Sequence, residues 1–119
     1  MAFIIALRNI ETLKSRQEFS RVYNARRSLA DYNLILFQAE GTGKVGFVCS
    51  RKIGNSVVRH RFVRLAREAY RLHKDEIRKD RDIIIMAREN AKGQGFTAIE
   101  ASFIGLLKRH SIYVEKTAE

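Results

Sequence analysis

The chain has 119 residues, 45% of them hydrophobic, and carries 23 Lys and Arg against 13 Asp and Glu, for a net charge of +10. That length suits one compact domain able to bury roughly two-thirds of its unfolded surface, and the apolar content excludes a disordered basic tail. An excess of this size points to a polyanionic partner, either nucleic acid or an anionic membrane surface.

The single cysteine, Cys49, rules out an internal disulfide framework or a zinc knuckle, and is compatible with a reducing cytoplasm. The longest apolar run, Met1–Leu7, is too short to cross a bilayer and lacks the flanks of a secretion signal. It reads as an extended arm, so the chain is expected to be one domain over 1–119 with residues 1–12 as the arm. The absence of Pro, of linker composition and of repeats marks no internal boundary.

Ser15-Arg16-Gln17-Glu18 has the form of a capping box and predicts a helix from about Arg16 to Tyr23. On it, Phe19, Val22 and Tyr23 share one face. Leu34–Gln38 and Lys44–Ser50 are strand-like runs. Glu40-Gly41-Thr42-Gly43 lies between them as a hairpin turn, its glycines allowing positive φ. The Gly43-Lys44 pair is not a phosphate loop, because positions 38 and 45 hold Gln and Val where Gly and Ser or Thr are required.

Asn55 or Ser56 caps a second helix reaching about Lys74, with Val58, Phe62, Leu65, Ala66, Ala69 and Leu72 on its apolar face. Asp82–Ala87 contains the continuous apolar run of a buried strand. After a turn at Gly93-Gln94-Gly95, Thr97-Ala98-Ile99-Glu100 repeats the capping-box pattern. The helix it opens has Ile99, Phe103, Leu106, Leu107 and His110 as its core stripe. The expected fold is α+β, an α-β-β-α-β-α sandwich on a small mixed sheet.

The charge is concentrated. Between Arg51 and Arg71 there are seven Lys or Arg residues and one acid, Glu68. Wound at about 100° per residue, His60, Arg61, Arg64, Arg67 and Arg71 fill an arc of roughly 120° opposite the apolar face, with Arg59 near the seam. A solvated helix face normally mixes signs, since like charges three or four apart repel. An arc of one sign suits phosphate, and forked guanidinium groups suit it best. The helix spends its apolar face on the core, which argues against a membrane surface. Few side chains suited to reading base edges stand among the arginines, which favours backbone and shape recognition, as in structured RNA.

The run Ser50-Arg51-Lys52-Ile53-Gly54-Asn55-Ser56-Val57-Val58-Arg59-His60-Arg61-Phe62-Val63-Arg64-Leu65-Ala66-Arg67-Glu68-Ala69-Tyr70 resembles, without a gap, the signature of the bacterial ribonuclease P protein subunit. Phe19–Tyr23, Asp82–Ala87 and Leu106–His110 resemble further family segments, so the likeness spans roughly Leu13–Tyr113. Two positions depart from the pattern: His60 replaces an Asn and Val63 a usual Lys.

The resemblance implies an accessory subunit of a ribonucleoprotein endoribonuclease, which removes the 5′ leader of precursor tRNA by phosphodiester hydrolysis and leaves a 5′-phosphate. Catalysis is expected in the RNA subunit, with Mg²⁺ bound mainly by that RNA. By position, Arg51, Lys52, Asn55, Arg59, His60, Arg61, Arg64, Arg67 and Arg71 would face RNA, and Phe19, Tyr23 and Phe37 would line a leader cleft. The partners implied are the catalytic RNA, one protein per RNA, and the precursor leader, in the cytoplasm and away from membranes. The resemblance also implies a left-handed β-α-β crossover from Phe47 to Ile85, against the general right-handed rule.

The residues themselves leave Phe19 equally open to a core role, whereas the polar tip of Tyr23 favours the cleft. His60, His73 and His110 lack ligand-like spacing, His110 reads as a satisfied boundary residue, and Asp75, Glu76, Asp80 and Asp82 read as a charged loop. No catalytic group or metal site is therefore expected on the protein. The alternatives are a structural RNA-binding protein of ribosomal type and, more weakly, a DNA-binding helix module.

Overall fold

The computed structural model describes residues 10–115; the Met1–Leu7 arm lies outside the described residues. Helix α1 spans Arg16–Asn24, β1 Arg27–Ala30, β2 Leu34–Glu40, β3 Val45–Val48, α2 Ser56–His73, β4 Arg81–Ala87 and α3 Phe96–Arg109. Short 3₁₀ turns follow α2 and β4. The strands form one mixed sheet in the order β1-β2-β4-β3. The pairs β1–β2 and β2–β4 are antiparallel, while β3–β4 is parallel and joined through α2.

Two departures from the sequence reading follow from this topology. The β2–β3 connection is not a hairpin, because β4 lies between the two strands. The turn residues are instead organised by Asp82, and only Gly43 of the two turn glycines takes a positive φ. Strand β1 is the other departure. It is an edge strand whose residues are exposed apart from the half-buried Leu29, so it carries no alternating pattern. Its turn into β2 is tied by the Asp31 carboxylate, which accepts from the Asn33 and Leu34 amides at 2.9 Å each.

The sheet separates two apolar layers. Leu34, Leu36, Val45, Ile83 and Ile85 face Phe62, Ala66, Ala69 and Tyr70 of α2 and Ile99, Phe103, Leu106 and Leu107 of α3, forming the main core. On the other side Ala39 and Ile84 pack with Val22 of α1 and with Leu13 in a smaller cluster. Alternation along β2 decides which residue joins which layer, so Leu36 enters the main core while Phe37 faces α1. Leu72 is exposed rather than core, and Tyr70 takes the inward place.

Helix starts agree with the sequence reading in two of three cases. Ser15 and Glu18 form the reciprocal capping box of α1, and the Asn55 side chain accepts from the Val58 amide at 3.1 Å to start α2. Helix α3 begins earlier than expected, with Gly95 as N-cap and no side-chain cap. Glu100, which the second capping box would have used, instead binds His73 across to α2 at 2.8 Å. Chain ends are tied by single bridges, Thr12 beside Val45 on the open edge of β3 and Tyr113 beside Ile77.

Asp82 is the polar centre of the fold. It is 1% exposed, within β4 and not in a charged loop as its neighbours in sequence suggested. Its Oδ1 accepts from the amides of Thr42, Gly43 and Lys44 at 3.0, 3.0 and 2.8 Å. Its other oxygen takes the Arg21 guanidinium of α1, which also donates to the Glu40 carbonyl. A Cβ at Gly41 would lie 2.2 Å from this carboxylate, so the turn needs glycine there. Replacing Asp82 by Ala strands four donors and is expected to cost about 3 kcal/mol, read as a lower urea midpoint at constant m. Arg21→Ala leaves the three amide bonds in place and should cost less.

Candidate functional site

Two surfaces of different chemistry flank the main core. The first is the outward face of α2. The packing of Phe62, Ala66, Ala69 and Tyr70 fixes the rotation of this helix, because each buried large side chain contributes about 1.5–3 kcal/mol. Like-charge repulsion of a few tenths of a kcal/mol per pair cannot compete, so the arginines are carried outward. His60, Arg61, Arg64 and Arg67 are exposed, and Arg51 and Lys52 extend the same character into the turn before the helix.

Their local engagements differ. One Arg61 guanidinium nitrogen donates to the Gln94 carbonyl at 2.9 Å, which steadies the side chain without neutralising it. Arg67 lies over the Phe47 ring at 5.4 Å, a cation–π contact that holds its direction. Arg71, by contrast, is paired with Glu68 at 2.8 Å, and this pairing lowers the Glu68 pKa and raises that of Arg71. Arg59 is half-buried, with its Nε out of solvent and without a hydrogen-bond partner among the described residues. Asn55 is exposed and occupied as the cap of α2. The sequence-derived cationic set is thus brought together around Arg61, Arg64 and Arg67, with Arg59 at the seam and Arg71 already compensated.

The second surface is the opposite side of the sheet. Here the Tyr23 and Phe37 rings meet edge to face at 4.9 Å, and Phe19 lies tilted 6.4 Å from Tyr23. All three are half-buried. Phe19 is set against the sheet over Gly46, where a Cβ would stand 2.5 Å from its ring. It therefore packs on the small core and is left half-open. The strand register adds residues that the sequence reading missed: Ile35, Met86 and Val48 lie side by side on the same sheet face, each half-buried. The pairing of three strands creates that apolar row. Alternation within each strand supplied a signal for its face but not for its neighbours. Burial raises the Tyr23 pKa, which keeps the phenol neutral in this setting.

The other histidines have structural partners. His110 is the C-cap of α3, and its Nε2 donates to the Leu36 carbonyl at 2.7 Å while Nδ1 accepts from Gln38 Nε2 at 2.8 Å. Burial lowers its pKa, consistent with this neutral arrangement. His73 has one ring nitrogen on Glu76 at 2.7 Å and the other on Glu100 at 2.8 Å. Burial opposes its charge, yet the two carboxylates outweigh burial and raise its pKa.

The molecule is therefore a small basic α+β protein with an outward cationic helix on one side of its sheet and a half-buried aromatic cluster on the other. The family model for Ribonuclease P matches residues 7–111. The ribonuclease P protein component of Lachnoclostridium phytofermentans is 38% identical over 105 residues, covering 86% of this chain and 90% of the relative. The solved RNase P protein of Staphylococcus aureus superposes with a TM-score of 0.79 at 28% identity, covering 88% of this chain and 99% of that one. That of Thermotoga maritima gives 0.76 at 25% identity over 83% and 96%. The chain belongs to the ribonuclease P protein family.

The His73 bridge sets a pH signature. A folded pKa raised above the unfolded value near 6.5 gives stability that is complete below that value and fades as pH rises through the folded pKa. The melting-temperature gap between wild type and His73→Gln is therefore expected to be wider at acid than at alkaline pH. His110→Gln should show the opposite trend, because its folded pKa is lowered and its contribution is lost as pH falls below the unfolded value.

Proposed function

We propose that this chain is the protein subunit of the ribonuclease P ribonucleoprotein, which removes the 5′ leader from precursor tRNA. The catalytic RNA binds along the outward face of α2, through Arg51, Lys52, Arg61, Arg64 and Arg67, with Asn55, Arg59 and His60 beside them. The precursor leader lies in the cleft of Tyr23, Phe37 and the outer edge of Phe19. The observation that carries this reading is the set of outward guanidinium groups at 61, 64 and 67, none in an ion pair with a carboxylate among the described residues. They stand on the signature helix of a family whose model matches most of the chain.

The division of tasks follows from side-chain chemistry. Guanidinium forks bind phosphate oxygens in pairs and neutralise the RNA backbone. Aromatic and aliphatic walls hold unpaired bases with little sequence preference, each stacked base contributing about 1–3 kcal/mol. Phosphodiester hydrolysis, leaving a 5′-phosphate, belongs to the RNA. Magnesium ions supply charge stabilisation at the scissile phosphate when bound. The outer face of α2 offers cations rather than oxygen ligands, so its donor set suits phosphate and leaves the metal to the RNA. One protein acts per RNA, in the cytoplasm. No helix among the described residues is long and apolar enough to cross a membrane.

Arg64→Ala combined with Arg67→Ala should weaken binding to ribonuclease P RNA and reduce the salt slope by on the order of 0.7–0.9 per lost phosphate contact. An unchanged slope overturns the assignment of this face. Tyr23→Ala in the assembled enzyme should weaken precursor binding on the order of tenfold while sparing mature tRNA, the loss of about one stacked base. Equal losses for both ligands would remove the leader from the cleft. A protein that binds ribosomal RNA yet leaves leader removal by the catalytic RNA unchanged would instead be a structural RNA-binding protein.

A further inference from the structure

The arginine face of α2 is bordered by a pocket whose chemistry differs from its own. A cavity of about 330 Å³ opens between the first half of α2 and the turn that carries β4 into α3. Val58, Phe62 and Leu65 wall it from the helix, Ile53 from the turn before, and Ala91 from the facing turn. Ile53, Phe62 and Ala91 are buried members of the main core, and Val58 and Leu65 pack half-buried against them. The helical residues follow at spacings of four and three, along the border between the buried face and the arginine arc.

The mouth is cationic. Arg61 lines it from the helix and Lys92 from the turn, and both are exposed. One Arg61 nitrogen donates to the Gln94 carbonyl at 2.9 Å, a bond that spans the gap between α2 and the turn. It holds the guanidinium at the rim with further donors to spare. Gly93, also at the rim, has no side chain to close it, and among the described residues no carboxylate lines the pocket. Val57, 73% exposed and four residues before Arg61, extends apolar surface outside the mouth.

An apolar slot with a cation on each wall matches a nucleobase whose flanking phosphates lie outside. A base offers π-faces to apolar walls, and guanidinium planes stack on it. The volume lies at the low end for small organic ligands, about 300–1,000 Å³, which suits one base and not a peptide helix. We propose that this pocket takes a single unstacked nucleobase of bound RNA, with Arg61 and Lys92 on the phosphates beside it. Phosphate contacts along the arginine arc carry no sequence information, whereas this pocket singles out a nucleotide that can leave its stack. A nucleotide of RNA and a free nucleotide present the same base. The RNA source rests on the function proposed above, and base capture stands without it.

The test has two arms on the full chain. In the first, adenosine 5′-monophosphate, ribose 5-phosphate and N-acetylphenylalanine amide are titrated separately while methyl resonances are followed. The Ile53, Val58 and Leu65 methyls are expected to shift with the nucleotide and not with the sugar phosphate. The exposed change Lys92→Gln should weaken those shifts, and Ala91→Met, which fills the pocket, should abolish them. Equal shifts with ribose 5-phosphate, or none with the nucleotide, would overturn base capture. Shifts with the amide alone would make the occupant a protein side chain and overturn it equally. In the second arm, Ala91→Met should weaken binding to ribonuclease P RNA on the order of tenfold at an unchanged salt slope, since a stacked base and no phosphate contact is lost. Lys92→Gln should instead reduce that slope by on the order of 0.7–0.9, and it decides both arms should Ala91→Met fail to fold. A positive first arm with RNA binding unchanged in both variants would overturn the RNA source and leave a free nucleotide as the ligand. If wild type fails to bind that RNA at all, the proposed function fails, while the first arm still decides the pocket.

Discussion

A single buried carboxylate couples the parts of this molecule. Asp82 sits near the start of the central strand β4 and receives three amides of the β2–β3 turn together with the guanidinium of α1. A carboxylate removed from water is tolerable only when its lone pairs are filled, and here they are filled by groups from two other segments, the β2–β3 turn and α1. The same contacts therefore tie α1 and the chain's entry into β3 to the start of β4. The two glycines nearest these close approaches, Gly41 against Asp82 and Gly46 against Phe19, leave room that no side chain could share.

The sheet then separates two kinds of surface. One face is closed by α2 and α3, and its packing determines which side of α2 remains outside. The other face is covered only in part by α1, and aromatic and aliphatic side chains stay half-open there. Charge and apolar surface are thus kept apart by the thickness of the domain. Screening over such distances leaves them nearly independent at physiological salt. Within the cationic face, cation–π and carbonyl contacts orient Arg67 and Arg61 without cancelling their charge, whereas Glu68 removes Arg71 from the set.

Residues of one chemical type take different roles according to their surroundings. His60 is exposed among arginines, His73 lies between two carboxylates that raise its pKa against burial, and His110 is kept neutral by burial and by a donor facing its Nδ1. Among the described residues, the Nε of Arg59 and the Nε and Nη1 of Arg81 are out of solvent without a hydrogen-bond partner.

Local chemistry made much of this legible in the sequence. Reciprocal capping at Ser15 and Glu18, the Asn55 cap, the apolar run of β4 and the one-signed arc of α2 depend on residues within a turn or two of each other, and they appear where the pattern put them. The family signature lies in one uninterrupted stretch for the same reason. Long-range pairing decided the rest. Strand β1 is an edge held by its partner, β4 separates strands that adjacency suggested would pair, and Glu100 gives up a local cap for His73 on another helix. Asp82 is the plainest case: the run before it in sequence, Arg78 to Asp80, is charged and exposed, while its neighbours in space are amides and a guanidinium. Only chain folding brings those donors to it, because sequence records composition and spacing but not which distant groups will be close enough to replace water.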